Sequence, residues 1–172
     1  MPRTLELVRI TGEWADRFHE EAARITDVLG RLALALEHVG STAVPGIAGK
    51  PVLDVAIGVS DEAAANACIE PLTGLGYDYR GLNGSDPRRR YYTLTTGEVR
   101  STQLHLYLLP AAGWDEKLRF RDALRADPAL AAAYASEKYR VARLVGWDKG
   151  AYAVAKEPFV ARVLAGWRPP AS

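Results

Sequence analysis

Residues 37–59, EHVGSTAVPGIAGKPVLDVAIGV, decide how the rest of this chain is read. An apolar run ends at the turn Gly40-Ser41, a Pro/Gly-rich loop carries one lysine, Lys50, and a strand-like run follows that exposes a single carboxylate, Asp54. Pro45-Gly46, Gly49 and Pro51 forbid a continuing helix and favour turns, and Pro51 drives Lys50 towards an extended conformation. Residues 52–59 alternate, with Leu53, Val55, Ile57 and Val59 on one face and Val52, Asp54, Ala56 and Gly58 on the other. Beyond Asp54 the second face is small, which predicts room over the strand for something other than a side chain. Glycine lets a ligand approach the main chain, so a Gly-Ser turn at a strand end can offer backbone N–H groups and a hydroxyl to a phosphate. The stretch therefore asks for an anion near backbone amides and a cation near Asp54. A nucleotide with magnesium meets both demands; the alternative is that Asp54 caps a nearby turn.

Working outward, residues 11–29 place Trp14, Phe18, Ala22, Ile25 and Leu29 at spacings of three and four, which predicts an amphipathic helix with Glu20, Glu21 and Arg24 on other faces and His19 solvated. Residues 32–39 predict a strand that turns at the glycine, with His38 bracing the loop. Ser60 or Asp61 can cap a helix from Glu62 that Pro71 kinks or ends. Residues 77–80 form a brief strand, residues 81–87 a turn-rich loop, and residues 91–95 and 99–109 a hairpin through Thr96-Gly97. In its second strand Ser101, Gln103, His105 and Tyr107 share a polar face that points to a site. From Gly113 the chain is helical: residues 114–125, then a helix announced by Asp127-Pro128 and ended by Gly146, then one capped by Asp148 and interrupted at Pro158. Leu118, Leu124, Leu130, Val141 and Leu144 read as core.

The 172 residues suit one domain, 1–172, with 48% hydrophobic and 25% charged residues. Twenty-two Lys+Arg against 21 Asp+Glu leave a charge of +1, so no nucleic-acid partner is expected and any basic site is local. One cysteine, Cys68, excludes an internal disulfide and a Cys-built zinc site, and its Ala-rich surroundings predict a buried side chain. With no 18-residue apolar run and no signal-peptide pattern, no membrane is expected and the cytoplasm is the expected location. Oligomeric state is not legible.

The basic candidates are Lys50 on the loop, the run Arg88-Arg89-Arg90, and the helical pairs Tyr134/Lys138 and Tyr152/Lys156 at i, i+4. Lys50 can pair with a phosphate or stay solvated. The arginines form a solvated loop or fork onto oxyanions. Each Tyr/Lys pair either faces a substrate or buries its tyrosine while its lysine snorkels outward. His105 is a metal ligand, a general base towards an acceptor hydroxyl, or a histidine hydrogen-bonded in the sheet.

Residues 37–59 closely resemble the signature of the GrpB family, whose members occur fused to dephospho-CoA kinase in some bacteria. The resemblance continues through the Trp14 and Phe18 helix, LHLY at 104–107, LRFRDALRADPALAAAYASEK at 118–138 and AYAVAKEPFV at 151–160. It implies a nucleotidyltransferase-like α/β fold: a mixed β-sheet flanked by helices, with a C-terminal helical segment. In that superfamily a Gly-Ser turn is paired with an Asp-x-Asp strand, a third acid lies on a neighbouring strand, and two metals activate the attacking hydroxyl and support the leaving pyrophosphate. Carried over, Gly40 and Ser41 match the phosphate turn, and Asp54 matches the first strand carboxylate. The second carboxylate is replaced by Ala56, and His105 stands nearest the third. The resemblance thus implies a magnesium-dependent protein that binds a nucleoside triphosphate and transfers a nucleotidyl group to, or activates, a small-molecule acceptor. Asp54 and His105 would be catalytic, with Asp54 and Glu37 as metal ligands. Gly40, Ser41, Thr42, Lys50, Arg89, Arg90, Lys138 and Lys156 would bind phosphate, and Gln103, Tyr134 and Tyr152 would line the substrate pocket. Ala56 keeps a second outcome open, a catalytically inactive module that binds a nucleotide or a phosphorylated metabolite such as a coenzyme A precursor.

Overall fold

A computed structural model describes residues 5–82 and 86–167; residues 1–4, residues 83–85 of the turn-rich loop and residues 168–172 lie outside the described residues. The elements are β1 (Val8–Arg9), α1 (Glu13–Leu29), β2 (Ala35–Val39), β3 (Ala48–Gly49), β4 (Leu53–Val59), α2 (Glu62–Ala67), α3 (Ile69–Gly74), β5 (Asp78–Tyr79), β6 (Arg89–Thr96), β7 (Val99–Leu108), α4 (Ala112–Ala126), α5 (Pro128–Leu144), α6 (Lys149–Ala155) and α7 (Glu157–Gly166). A five-stranded mixed sheet runs in the order β2-β4-β7-β6-β5, and only the central pair, β4 with β7, is parallel. A second sheet is the short antiparallel pair β1-β3. That pair, with Ile10 N–H donating to Ile47 O at 2.9 Å and Gly46 N–H to Ile10 O at 2.8 Å, fastens the Pro/Gly-rich loop to the N-terminal segment.

Alternation gives each strand of the main sheet two different faces. Leu53, Val55, Ile57 and Val59 of β4, with Leu104, Leu106 and Leu108 of β7 and Tyr92 of β6, form the main core against Trp14, Ile25 and Leu29 of α1 and Ala65, Cys68 and Leu72 of the following helices. Burial pushes the Cys68 thiol up to about 11, as befits a packing residue. On the opposite face α4 lays Trp114 and Leu118 over Val39, Ala56 and Tyr107.

Local signals set the boundaries as expected. Asp61 accepts from Ala64 N–H, Asp127 from Ala129 and Leu130 N–H, and Asp148 from Ala151 N–H, each capping its helix. The α2/α3 break falls at Cys68, three residues before Pro71, and the hairpin turns through Gly97 at φ 63°.

Three expectations need correction. The room predicted over β4 is filled: Ala56 is 0% exposed, and a Cβ on Gly58 would meet Leu109 Cδ1 at 2.5 Å. Glu21 is buried rather than on an open face, because its carboxylate accepts from the Tyr77 hydroxyl at 2.6 Å and from Arg24 at 2.7 Å. Leu144, expected in the core, is 71% exposed at the last residue of α5, while Leu124 and Val141 of the same set are buried.

Candidate active site

The sheet register assembles the polar face. Asp54 lies opposite Gln103, which lies opposite Thr93; one step along, Ala56, His105 and Tyr91 form the next row. His105 Nε2 is 3.3 Å from Asp54 Oδ1, and the imidazole packs at a tilt beside the Tyr91 ring. His105 is 8% exposed. Burial first, then the charge of Lys117, drives its pKa down to about 4 despite Asp54. It is therefore neutral at pH 7, and the carboxylate selects the tautomer: Nε2–H donates to Asp54, leaving Nδ1 as the lone-pair nitrogen. Nδ1 is buried and has no hydrogen-bond partner among the described residues. Burial alone would raise the Asp54 carboxyl, yet the His105 bond and the charges of Lys117 and Lys156 hold it below its ordinary value.

The Gly-Ser turn reaches this pair by close approach. Gly40 has φ 70°, and a Cβ there would lie 2.6 Å from Asp54 Oδ2; one on Gly49 would lie 2.7 Å from Ser41 Cβ. Only glycine lets turn, carboxylate and loop meet. Behind the turn, Lys138 of α5 donates to Ser41 Oγ and, at 2.6 Å, to Ala48 O, with its Nζ 4.4 Å from the centre of the Tyr134 ring. Ser41 Oγ accepts from the lysine and is also hydrogen-bonded to the Tyr134 hydroxyl. Lys138 is 1% exposed; burial, reinforced by Lys156 and Lys50, pushes its pKa down to about 6.

Further basic side chains lie close by. Lys50 and Lys156 each hold Nζ 4.9 Å from the centre of the buried Tyr152 ring, and burial together with Lys50 lowers Lys156 to about 8. Lys117, half-buried on α4, has Asp54 as its main counter-charge, and burial pulls its pKa down. Arg89, on the Asp54 face of β6, adds its charge to Lys117, His105 and the Tyr107 hydroxyl. Lys117, Lys138 and Lys156 thus act on Asp54, with Lys50 beside Lys156 and Arg89 beside Lys117 and His105. An open cleft of about 1130 Å³ meets this cluster at Lys50 and Gln103 and is lined also by Arg100, Gly150, Ala153, Glu6 and Glu98.

Of the residues singled out from sequence, the structure brings together Asp54, His105, Gly40, Ser41, Lys50, Lys138, Lys156, Arg89 and Gln103. Others it removes. Arg90 points to the opposite face of the sheet, where it is bound by Glu62 of α2 and donates to Pro87 O at 3.0 Å. Thr42 is buried, with its hydroxyl 2.9 Å from His38 Nε2, so the pair braces the turn; the His38 ring also stacks on Phe18. Tyr134 packs between Phe120 and Phe159, and Tyr152 lies in a buried cluster with Leu5, Val141 and Ala142, so both rings are core residues that carry lysines on their faces. The lysines did not snorkel: Lys138 is more deeply buried than Tyr134. Glu37 accepts from Arg121 at 2.6 Å, an ion pair that occupies it as a metal ligand. Lys117 and Arg121 were missed. Their signal was the α4 spacing 114-117-118-121, a stripe of Trp, Lys, Leu and Arg that faces the sheet.

A pair of metals does not fit this donor set. Ala56 is sealed beneath Val39, Tyr107 and Trp114, Glu37 is held by Arg121, and no group of three His, Cys, Asp or Glu side chains that could hold an ion occurs among the described residues. Asp54 is the one carboxylate at the turn.

Comparison with known proteins bears on what this arrangement is. The family described as GrpB protein matches residues 4–165. The chain belongs to the GrpB family. A UPF0157 protein of Pseudomonas aeruginosa is 34% identical over 160 residues, covering 93% of this chain and 66% of the relative. A dephospho-CoA kinase of Mycobacterium leprae is 30% identical over 176 residues, covering 86% of the chain and 42% of the relative. The chain thus spans less than two thirds of either relative. The crystal structure of conserved protein GrpB from Enterococcus faecalis superposes with a TM-score of 0.82 at 28% identity, covering 92% of this chain and 94% of that one. Cid1 poly(U) polymerase with MgGTP bound superposes with a TM-score of 0.50 at 16% identity, covering 78% and 46%. The GrpB chain therefore has a nucleotidyltransferase-like fold. No helix among its described residues is long and apolar enough to cross a membrane.

Proposed function

We propose that this GrpB chain binds a nucleoside triphosphate at the Gly40-Ser41 turn and transfers its nucleotidyl group to a small acceptor. The observation that carries the reading is that Asp54, the carboxylate pressed against the Gly40 turn, stands among Lys117, Lys138 and Lys156, with Lys50 and Arg89 next to them. A polyphosphate supplies the negative charge such a cluster lacks. Ser41 donates its O–H to a phosphate oxygen while Lys138 holds the hydroxyl from behind. Asp54 orients His105 through Nε2–H, and an acceptor hydroxyl gives its proton to Nδ1 as its oxygen attacks the α-phosphorus and pyrophosphate leaves. The imidazolium formed is stabilised by Asp54, and the incoming phosphates raise the basicity of His105. Magnesium, expected of the fold, would meet Asp54 as its only carboxylate here, with phosphate and water completing its shell, and would neutralise phosphate charge.

Titration calorimetry with ATP, GTP, CTP and UTP tests the binding step. At least one binds, and Lys156→Met weakens it by about tenfold or more; failure of all four overturns the reading. Pyrophosphate release over hydroxyl, amine and carboxylic acid acceptors tests the transfer. Binding without release favours the second reading, an inactive module holding a nucleotide or phosphorylated metabolite, for which Ala56 and the Glu37–Arg121 pair are the supporting observations. Similarity to a dephospho-CoA kinase makes coenzyme A precursors the metabolites to try.

A further inference from the structure

The carboxylate at the centre of this site stands among cations instead of other acids. Two acidic neighbours are already engaged, since Glu37 and Asp122 both accept from Arg121, at 2.6 and 2.8 Å, while Glu116 lies beside Lys117 on α4. The position next to Asp54 on β4 is a sealed alanine, and its partner on β7 is a neutral histidine donor. Lys117 of α4, Lys138 of α5 and Lys156 at the helical break act on this single charge, while Lys50 shares the Tyr152 ring with Lys156 and Arg89 of β6 acts on Lys117 and His105. The placement of Lys117 follows from packing: Trp114 sits edge-on against Tyr107, Leu118 packs on the same apolar patch, and Arg121 reaches Glu37 and His38 O, so the face of α4 between them is held on the Asp54 side of the sheet. A divalent ion entering here would find one carboxylate and several like charges, whereas a bare polyphosphate would find donors on every side.

We propose that the site at the Gly40-Ser41 turn binds the triphosphate of its ligand without a divalent cation, Lys117 and Lys156 supplying the positive charge that two metals supply in the superfamily reaction. This rests on the nucleotide reading and specifies the ionic form of the ligand. Asp54 then serves to orient His105 and to hold the lysines together before the ligand arrives.

The test is calorimetry of the full chain with ATP and with inorganic tripolyphosphate, each in EDTA and in excess magnesium. Binding in EDTA is expected to be as tight as in magnesium, within about threefold. Asp54→Asn removes the only negative charge at the turn, so it should retain or tighten binding in EDTA; a metal-held ligand would lose it. Lys117→Met should weaken binding in EDTA by about tenfold, and Lys117→Arg should restore it, which separates charge from folding. Binding that disappears in EDTA, or with Asp54→Asn, overturns the inference and leaves the nucleotide reading intact. No binding of either probe under either condition overturns both. Manganese alone, followed by electron paramagnetic resonance, is expected to stay free; uptake by the ligand-free protein would also overturn the proposal.

Discussion

The two faces of the five-stranded sheet are cut from alternate residues of the same strands, yet they differ in kind. On one, Val55, Ile57, Leu104 and Leu106 are fully buried in the main apolar core. On the other, Asp54, His105 and Arg89 stand under helices that bring in lysines. A one-residue step along β4 passes from the molecule's most hydrophobic environment to its most charged. Stability and chemistry are thereby assigned to separate sides of one layer, and substitutions one position apart should have opposite consequences.

The largest effect tests that separation directly. Ile57→Ala opens a cavity in the main core and should cost about 2–5 kcal/mol, read as a fall in unfolding temperature or denaturant midpoint. Asp54→Asn, three positions away on the other face, leaves Lys117 and Lys156 without their counter-charge and should cost less, about 1–2 kcal/mol, while abolishing pyrophosphate release. Equal losses of stability would show that the faces are not independent. Gly40→Ala comes next, because it strikes where the two sides of the site touch. Its φ of 70° disfavours any Cβ, and the added carbon would press to 2.6 Å from Asp54 Oδ2. We expect about 2 kcal/mol of destabilisation and about a tenfold loss of triphosphate affinity from the displaced carboxylate. Wild-type affinity in this variant would remove the turn from the site.

Much of the sheet was legible because it is written locally. The period-two alternation of residues 52–59 named both faces of β4, and Asp61, Asp127 and Asp148 announced their helices through the need of the first turn for acceptors. His38 was readable as a brace because it adjoins the turn it holds. What escaped depends on how distant elements pack. Nothing local says that Lys138 is buried against Ser41, 97 residues away, or that Arg121 captures Glu37 across 84 residues. Lys117 gains its role only from the packing of α4 on the sheet. The small face of β4 misled for the same reason: Leu109 and Trp114 fill it from later in the chain.

A smaller effect concerns protons. Lys138 is a lysine whose folded pKa is depressed to about 6 from an ordinary 10.5, so between those values the unfolded chain holds a proton that the native chain has released. The unfavourable contribution of burying this group is complete below pH 6 and fades as pH rises towards 10.5, which means that stability gains with pH across that window. Lys138→Met should flatten the slope of unfolding temperature between pH 7 and 9. Bound triphosphate reverses the sign of the local field, so Lys138 should take up a proton on binding. Calorimetry at pH 7.5 in buffers of different ionisation enthalpy reads that uptake. Proton release on binding would place the ligand away from Lys138 and from the charged face altogether.

The smallest effect is the sharpest for the comparison, because it divides a run that is uniform in sequence. Arg88, Arg89 and Arg90 were read as one basic cluster, but strand alternation sends Arg89 to the Asp54 face and Arg90 to the core face, where it pairs with Glu62, while Arg88 stays exposed. Arg90→Ala should therefore cost about 1 kcal/mol of stability, from lost packing of its buried stem and a pair that is open to solvent at Glu62, with triphosphate affinity unchanged. Arg89→Ala should do the reverse, weakening triphosphate binding severalfold with little change in stability. Arg88→Ala should do neither. Parallel denaturation and calorimetry on the three variants measure both axes at once. If all three weakened binding alike, the arginines would act as a diffuse charged loop and the division of labour between the faces would end at β4 and β7, short of β6.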